Sequence, residues 1–146
     1  MSDLRTTLVQ CDLRWEDPDA NCRLLDELLG ELDGEETDLI VLPEMFSTGF
    51  TMNSREMAES MAESRAVAWL TEQARKRDCV VTGSVAIVED GRYYNRLVWA
   101  RPDGSLATYD KRHLFRMAGE HELYSMGHDR VIVTLKGFRI LLSVCY

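Results

Sequence analysis

Glu44, Lys111 and Cys145 are the side chains in this sequence whose types, taken together, could hydrolyse an amide without a metal. Such a reaction needs a nucleophile, a base to activate it, and positive charge where an oxyanion develops. Cys145 offers a sulfur, Glu44 a carboxylate and Lys111 an ammonium. A glutamate partly removed from water beside a thiol can hold a pKa near neutrality and take its proton. A lysine held by carboxylates stays charged. Each residue also has an ordinary reading. A cysteine at a strand end is most often a small buried hydrophobe, a glutamate after a proline is a turn or cap residue, and a loop lysine is a solvated charge. Residue type leaves both readings open.

The elements around them decide whether they can meet. Thr6–Leu13 alternates as a strand does. Asp17 then fits an N-cap ahead of Pro18, and Leu25, Leu28, Leu29 and Leu32 follow at helical spacing to a stop at Asp33-Gly34. Leu39–Leu42, closed by Pro43, has the continuous apolar character of a strand buried on both faces, and Ala62–Arg77 predicts a second amphipathic helix. The period then changes to two. Val80–Val88 and Tyr93–Ala100 flank Glu89-Asp90-Gly91-Arg92 as a hairpin, and Ser105–Asp110 follows the Pro102-Asp103-Gly104 turn. Residues 111–129 predict a long loop with room for a helical turn. Val131–Leu135 and Phe138–Val144 close the chain as a second hairpin around Lys136-Gly137.

A β-α-β-α order followed by a run of strands predicts a layered α/β fold in one domain over residues 1–146. Glu44, Lys111 and Cys145 each follow a predicted strand, so strands lying in one layered core would bring them to a common edge. The last strand has the composition of a centrally buried one, yet the chain stops at its carboxyl end. A protein truncated just after Cys145 is therefore expected.

Composition narrows the partners. A net charge of −8 argues against nucleic acid and anionic membranes. No apolar run approaches the about 18 residues of a membrane span, and the start MSDLRTTLVQ lacks a signal-peptide core, so a cytoplasmic location is expected. Cys11, Cys22, Cys79 and Cys145 are widely spaced, with no CxxC and no histidine pattern for zinc, so neither a disulfide framework nor a metal site is expected.

Three segments resemble those of one family. Leu42-Pro43-Glu44-Met45-Phe46-Ser47-Thr48-Gly49-Phe50 is similar to the general-base segment of nitrilase-superfamily carbon–nitrogen hydrolases. Tyr109-Asp110-Lys111-Arg112-His113-Leu114-Phe115 resembles their lysine segment, and Val144-Cys145-Tyr146 the start of their nucleophile segment. The resemblance covers Thr6 to Tyr146 but only about the front half of a typical member. It implies an α-β-β-α sandwich, here its first half, and ping-pong acyl transfer through a thioester with no cofactor. It also implies a second glutamate that orients the lysine. The offset to Gly127 puts that role on Glu120, with Glu122 as the alternative.

PEMFSTGF and FRMAGEHE look most like bacterial ω-amidases, which implies a small-molecule substrate, the terminal amide of a 2-oxo dicarboxylate such as 2-oxoglutaramate. Arg116 is then the candidate for the substrate carboxylate and Phe50 for the acyl pocket. Nitrile and carbamoyl substrates remain alternatives, and a full-length member would be a homodimer. Ending at Tyr146, the chain would lack the helix whose N-terminus favours the thiolate, and low stability with little turnover is expected of it alone. Two other readings stand beside the enzyme: a non-catalytic piece that needs its missing half, and an unrelated α/β ligand-binding domain. The last predicts Glu44, Lys111 and Cys145 far apart.

Overall fold

Valine, isoleucine and threonine recur through Val80–Glu89, and this ten-residue strand, β3, is the centre of the molecule. The computed structural model describes residues 3–32 and 34–145. On one side β3 pairs in parallel with β2 (Leu39–Val41), and β2 pairs in parallel with β1 (Thr6–Leu8). On the other side β3 pairs antiparallel with β4 (Arg92–Ala100), and β4 with β5 (Leu106–Asp110). The five-stranded sheet therefore runs β1-β2-β3-β4-β5. Two reversals of direction make β5 parallel to β2, so the carboxyl ends of β2 and β5 lie on the same edge.

Successive strand residues point to opposite faces, and the two faces have different cover. Val81, Val85 and Ile87 of β3, with Val98 and Ala100 of β4, face two helices, α1 (Pro18–Gly30) and α3 (Arg65–Arg77). Leu25, Leu29, Val67, Leu70 and Ala74 are the helical side of that core. Leu39, Val80, Leu97, Trp99 and Tyr109 form the other face, covered by Val133, Leu142 and Val144 from a separate hairpin, β6 (Ile132–Leu135) and β7 (Phe138–Leu141). The layers run α, β, β, in agreement with the predicted layered α/β fold.

Capping sets the helix boundaries. The Asp17 carboxylate accepts from the Ala20 N–H at 2.9 Å, as expected for a cap ahead of Pro18. The second helix begins at Arg65 rather than Ala62, because Ser64 caps it by accepting from the Val67 N–H at 3.2 Å. The helix stop expected at Asp33-Gly34 falls partly on Asp33, outside the described residues; α1 itself ends at Gly30. The hairpin between β3 and β4 turns at Asp90-Gly91, both at positive φ, the two-residue connection its sequence predicts.

Two strand expectations need correction. β1 covers Thr6–Leu8 and not Thr6–Leu13, because its partner β2 is itself three residues long and Pro43 ends its supply of ladder donors. The segment predicted as a centrally buried strand, Phe138–Val144, pairs only at Phe138–Leu141 and only with β6. Phe138 and Leu141 are exposed, since β7 lies outside the five-stranded sheet and its hairpin buries only the Val133 side.

Packing sets the expected costs. Leu70 is completely buried between α3 and the sheet, and Leu70→Ala should lower the unfolding free energy by about 2–5 kcal/mol. Ser64→Ala removes only a cap and should cost about 0.5–2 kcal/mol. Urea unfolding of both variants checks the order, which reverses if the helix is held mainly by its cap.

Candidate active site

The turn after β2 is held against β3, and this places Glu44. Leu42 N–H donates to the Thr82 carbonyl at 2.8 Å, Met45 N–H to Ser84 Oγ at 2.9 Å, and Phe46 N–H to the Ser84 carbonyl at 3.2 Å. Gly83 makes this approach possible: a Cβ there would sit 2.8 Å from Phe46 Cδ1 and 3.0 Å from Leu42 Cβ. Met45, fully buried, has φ +49. A long side chain in the left-handed region costs about 1–3 kcal/mol, and such strain collects where function over-determines the backbone.

Lys111 follows β5 on the same edge. Its N–H donates to the Asn95 carbonyl at 2.9 Å, and its own carbonyl accepts from the Gly127 N–H at 3.0 Å. The side chain is 1 % exposed. An ammonium that deep is stable only with counter-charges in contact. Nζ donates to Oε1 of Glu44 at 2.7 Å and lies 2.9 Å from Oε2 of Glu120. Burial acts against the charged form, but hydrogen bonds to the two carboxylates and their charges outweigh it, and the Lys111 pKa is raised. The Phe50 ring covers the ammonium, with Nζ 4.9 Å from its centroid.

Glu120 opens α4 (Glu120–Leu123), a turn within the long loop that also carries a 3-10 turn at Arg116–Ala118. Its side chain is 0 % exposed, and Oε2 also accepts from the Phe115 N–H at 2.6 Å. The loop is clipped down by Tyr124, whose hydroxyl donates to the Thr51 carbonyl at 3.0 Å, and by Ser125 N–H, which donates to the Tyr93 carbonyl at 2.7 Å. Burial first, and then the charge of Glu120, push the Tyr124 pKa up, so this hydroxyl stays neutral. Of the two candidates for the second glutamate, Glu120 is on the lysine, whereas the Glu122 side chain is 75 % exposed and meets His121.

Asn95 was not legible as a site residue. Its Nδ2 donates to Oε1 of Glu44 at 2.8 Å and to Oε1 of Glu120 at 3.2 Å. The available signal was an amide on the strand face that otherwise carries Leu97 and Trp99.

Glu44, Lys111, Glu120 and Phe50 are thus brought together; of the three residues that the ligand-binding reading keeps apart, Glu44, Lys111 and Cys145, the first two are in contact. Arg116 is exposed on its 3-10 turn and lines an open cavity with Arg112, His113, Phe115, Met117 and His121. No hydrogen bond or ion pair joins Arg116 to the cluster among the described residues.

Cys145 is exposed, at φ +62, and makes no hydrogen bond to Glu44 or Lys111. Lys136, at the β6–β7 turn, bonds Asp38 at 2.9 Å, at the start of β2, and β7 runs back from there. Leu142 N–H donates to the Val131 carbonyl at 2.9 Å, extending the ladder beyond Leu141. Beyond it Val144 is in a bend and Cys145 has a left-handed backbone, so the ladder does not continue to Cys145. Tyr146, the last residue of the nucleophile-like segment, lies outside the described residues. The other three cysteines are poor nucleophiles, because burial above all raises the pKa of Cys11, of Cys79 and of Cys22, the last to about 11.

Comparison with known proteins bears on this arrangement. The family profile for carbon-nitrogen hydrolase matches residues 5–146. The omega-amidase YafV of Yersinia enterocolitica is 46 % identical over 146 residues, which are 100 % of this chain and 56 % of the relative. The 2-oxoglutaramate amidase of Bacillus subtilis is 31 % identical over 94 % of this chain and 54 % of its own length. The chain spans about half the length of the curated relatives it matches. A crystal structure of a CN-hydrolase superfamily protein from Xanthomonas campestris, with an arsenic adduct in its active site, superposes with a TM-score of 0.94. It is 45 % identical, over 100 % of this chain and 54 % of that one.

Gly127 is the tightest point of the site's scaffold, since a Cβ there would lie 2.2 Å from the Asp110 carbonyl oxygen. Gly127→Ala must displace the end of β5 and should cost about 1–3 kcal/mol or more. Gly30→Ala, where a Cβ meets nothing within 4 Å, should be neutral or stabilising by up to about 1 kcal/mol. Equal unfolding midpoints for the two variants would refute the close approach.

Proposed function

Because this chain belongs to the carbon-nitrogen hydrolase family, we propose that the protein carrying it hydrolyses a small linear amide, the ω-amide of a 2-oxo dicarboxylic acid such as 2-oxoglutaramate. The observation that carries the proposal is the buried Lys111 ammonium held between Glu44 and Glu120. A permanent positive charge in a dry, pre-built setting is what an oxyanion needs. A purely structural role accounts poorly for such a cluster, because the whole set of buried charges could be replaced by well-packed apolar residues at little cost.

In this reading Glu44 takes the proton of the Cys145 thiol, and the sulfur attacks the amide carbon. Lys111 stabilises the oxyanion of the tetrahedral intermediate. The C–N bond breaks as Glu44 returns the proton to the leaving nitrogen, so ammonia departs and a thioester remains. Water, deprotonated by Glu44, then attacks that thioester. The C–S bond breaks, the acid leaves and the thiol regains its proton. Glu120 keeps Lys111 charged and in place. Phe50, stacked over the ammonium, is suited to line the acyl pocket, and Arg116 is the nearby cation offered to the distal carboxylate.

Three observations support the roles. Glu44 is 30 % exposed while Lys111 and Glu120 are buried, so its carboxylate is the most accessible acid of the cluster. The Leu142 N–H still donates to the Val131 carbonyl, which keeps the segment before Cys145 on the hairpin that covers the sheet face of Lys111. The relatives named omega-amidase and 2-oxoglutaramate amidase favour the 2-oxo amide over nitrile and carbamoyl substrates.

The test measures ammonia release by the complete protein from 2-oxoglutaramate, an aliphatic nitrile and an N-carbamoyl amino acid. The 2-oxo amide should be turned over fastest, Cys145→Ala should abolish release, and Glu44→Gln should lower kcat by about 100-fold or more. Undiminished turnover by Cys145→Ala would overturn the mechanism, and preference for the nitrile or carbamoyl compound would overturn the substrate.

A further inference from the structure

The four polar groups of the site close into a ring. Lys111 Nζ binds Oε1 of Glu44 at 2.7 Å, and that oxygen accepts from Asn95 Nδ2 at 2.8 Å. The same Nδ2 reaches Oε1 of Glu120 at 3.2 Å, whose Oε2 returns to Lys111 Nζ at 2.9 Å. Glu120 thus has both oxygens engaged. Glu44 has both its bonds on Oε1, and no described residue hydrogen-bonds its Oε2. We infer that Asn95 is the positioning residue of this cluster: its amide ties Glu44 to Glu120 and leaves Oε2 of Glu44 as the one oxygen open to a proton. The inference rests on the hydrolase reading above, in which Glu44 is the base.

The chemistry of the amide suits that task. Two carboxylates held close repel one another, and the single lysine offsets only one of the two charges. A second cation would quench the base, and a hydroxyl has one hydrogen to give. An amide NH₂ gives two hydrogens and no charge. Its orientation follows from its neighbours, because the flipped amide would set an oxygen against two carboxylate oxygens. That orientation has a cost, for Asn95 Oδ1 is buried without a partner, and a side chain kept for packing alone would not carry it. The backbone of Asn95 serves the same end by accepting from the Lys111 N–H at 2.9 Å.

Hydrogen bonds to an ionised carboxylate favour the ionised form. Losing the Asn95 donor removes one stabiliser of the ionised carboxylate, and the acidic limb of any process needing that base should move to higher pH. The other groups facing the ring are the Lys111 ammonium, the Glu120 carboxylate and the neutral Tyr124 hydroxyl. The first two are present in every variant, and the third stays un-ionised over the range tested.

The experiment follows Asn95→Ala, Asn95→Asp and Asn95→Ser in the complete protein. One readout is the pH profile of kcat on 2-oxoglutaramate. The other, independent of turnover, is the pH dependence of iodoacetamide alkylation at Cys145, read by peptide mass spectrometry. Asn95→Ala and Asn95→Asp should lower kcat by about tenfold or more and raise both acidic limbs by about one pH unit. Asn95→Ser, with one hydrogen to donate, should fall between. Should the first two lose the native fold, the shift in Asn95→Ser decides. Variants that melt lower but keep the original limbs would overturn the inference, since only a structural role would remain. If the unsubstituted protein hydrolyses no amide, the hydrolase reading fails, and the alkylation limb still decides the role of Asn95.

Discussion

A charged lysine in a place without water sets the terms for everything around it. Lys111 is 1 % exposed, and an ammonium buried there without counter-charges would be deprotonated or would unfold its surroundings. Removing one partner of such a group typically costs about 3–5 kcal/mol. Both carboxylates must therefore arrive together, from residues distant in sequence. The fold can be read as the device that delivers them: β2 ends next to Glu44, β5 ends next to Lys111, and the loop between β5 and β6 folds back with Glu120 inward.

Delivery depends on strand direction more than on any one contact. Because β3 is parallel to β2, and two antiparallel steps then restore the direction in β5, both carboxyl ends share one edge. On the sheet face opposite Asn95 and Lys111, Arg96 and Asp110 are register partners one residue along each strand. Arg96 Nε bonds Asp110 at 2.7 Å, and Nη1 and Nη2 reach Glu89 at 3.2 and 3.0 Å. This ion cluster, with Arg96 buried and Glu89 exposed, ties β3, β4 and β5 together one residue away from the site. A slip of β4 against β5 by one residue would break those bonds and turn Lys111 to the other face.

Elements with a strong periodic pattern were legible in the sequence. The two helices, the β3–β4 hairpin and the paired ends of β2 and β5 follow from apolar spacing and turn residues. The meeting of Glu44 and Lys111 was foreshadowed by their places after two strands, and the contact of Glu120 with the lysine by its offset to Gly127. Features that depend on partners were not legible. β7 has the composition of a central strand, but Phe138 and Leu141 are exposed because neighbours, not composition, determine burial. Asn95 is one polar residue in an apolar strand, and only the register that sets it between two glutamates gives it meaning. Ser84, whose hydroxyl holds Met45, was invisible for the same reason.

Glu44 and Glu120 show how far position can separate two identical side chains. Each bonds Lys111 and each bonds Asn95, so neither partner distinguishes them. The difference comes from the backbone that carries them. Glu120 begins a short helical turn pressed onto the sheet, and the Phe115 N–H occupies the oxygen that also meets the lysine. Glu44 stands on a turn forced into a strained conformation at Met45 and fixed from β3, which keeps it at the rim with one oxygen uncommitted. A saturated, buried carboxylate can only hold charge, whereas one with a free oxygen at the rim can exchange a proton. If the strain at Met45 were relieved by a turn that let Glu44 sink into the cluster, the lysine would remain neutralised and the site would lose its one uncommitted carboxylate oxygen.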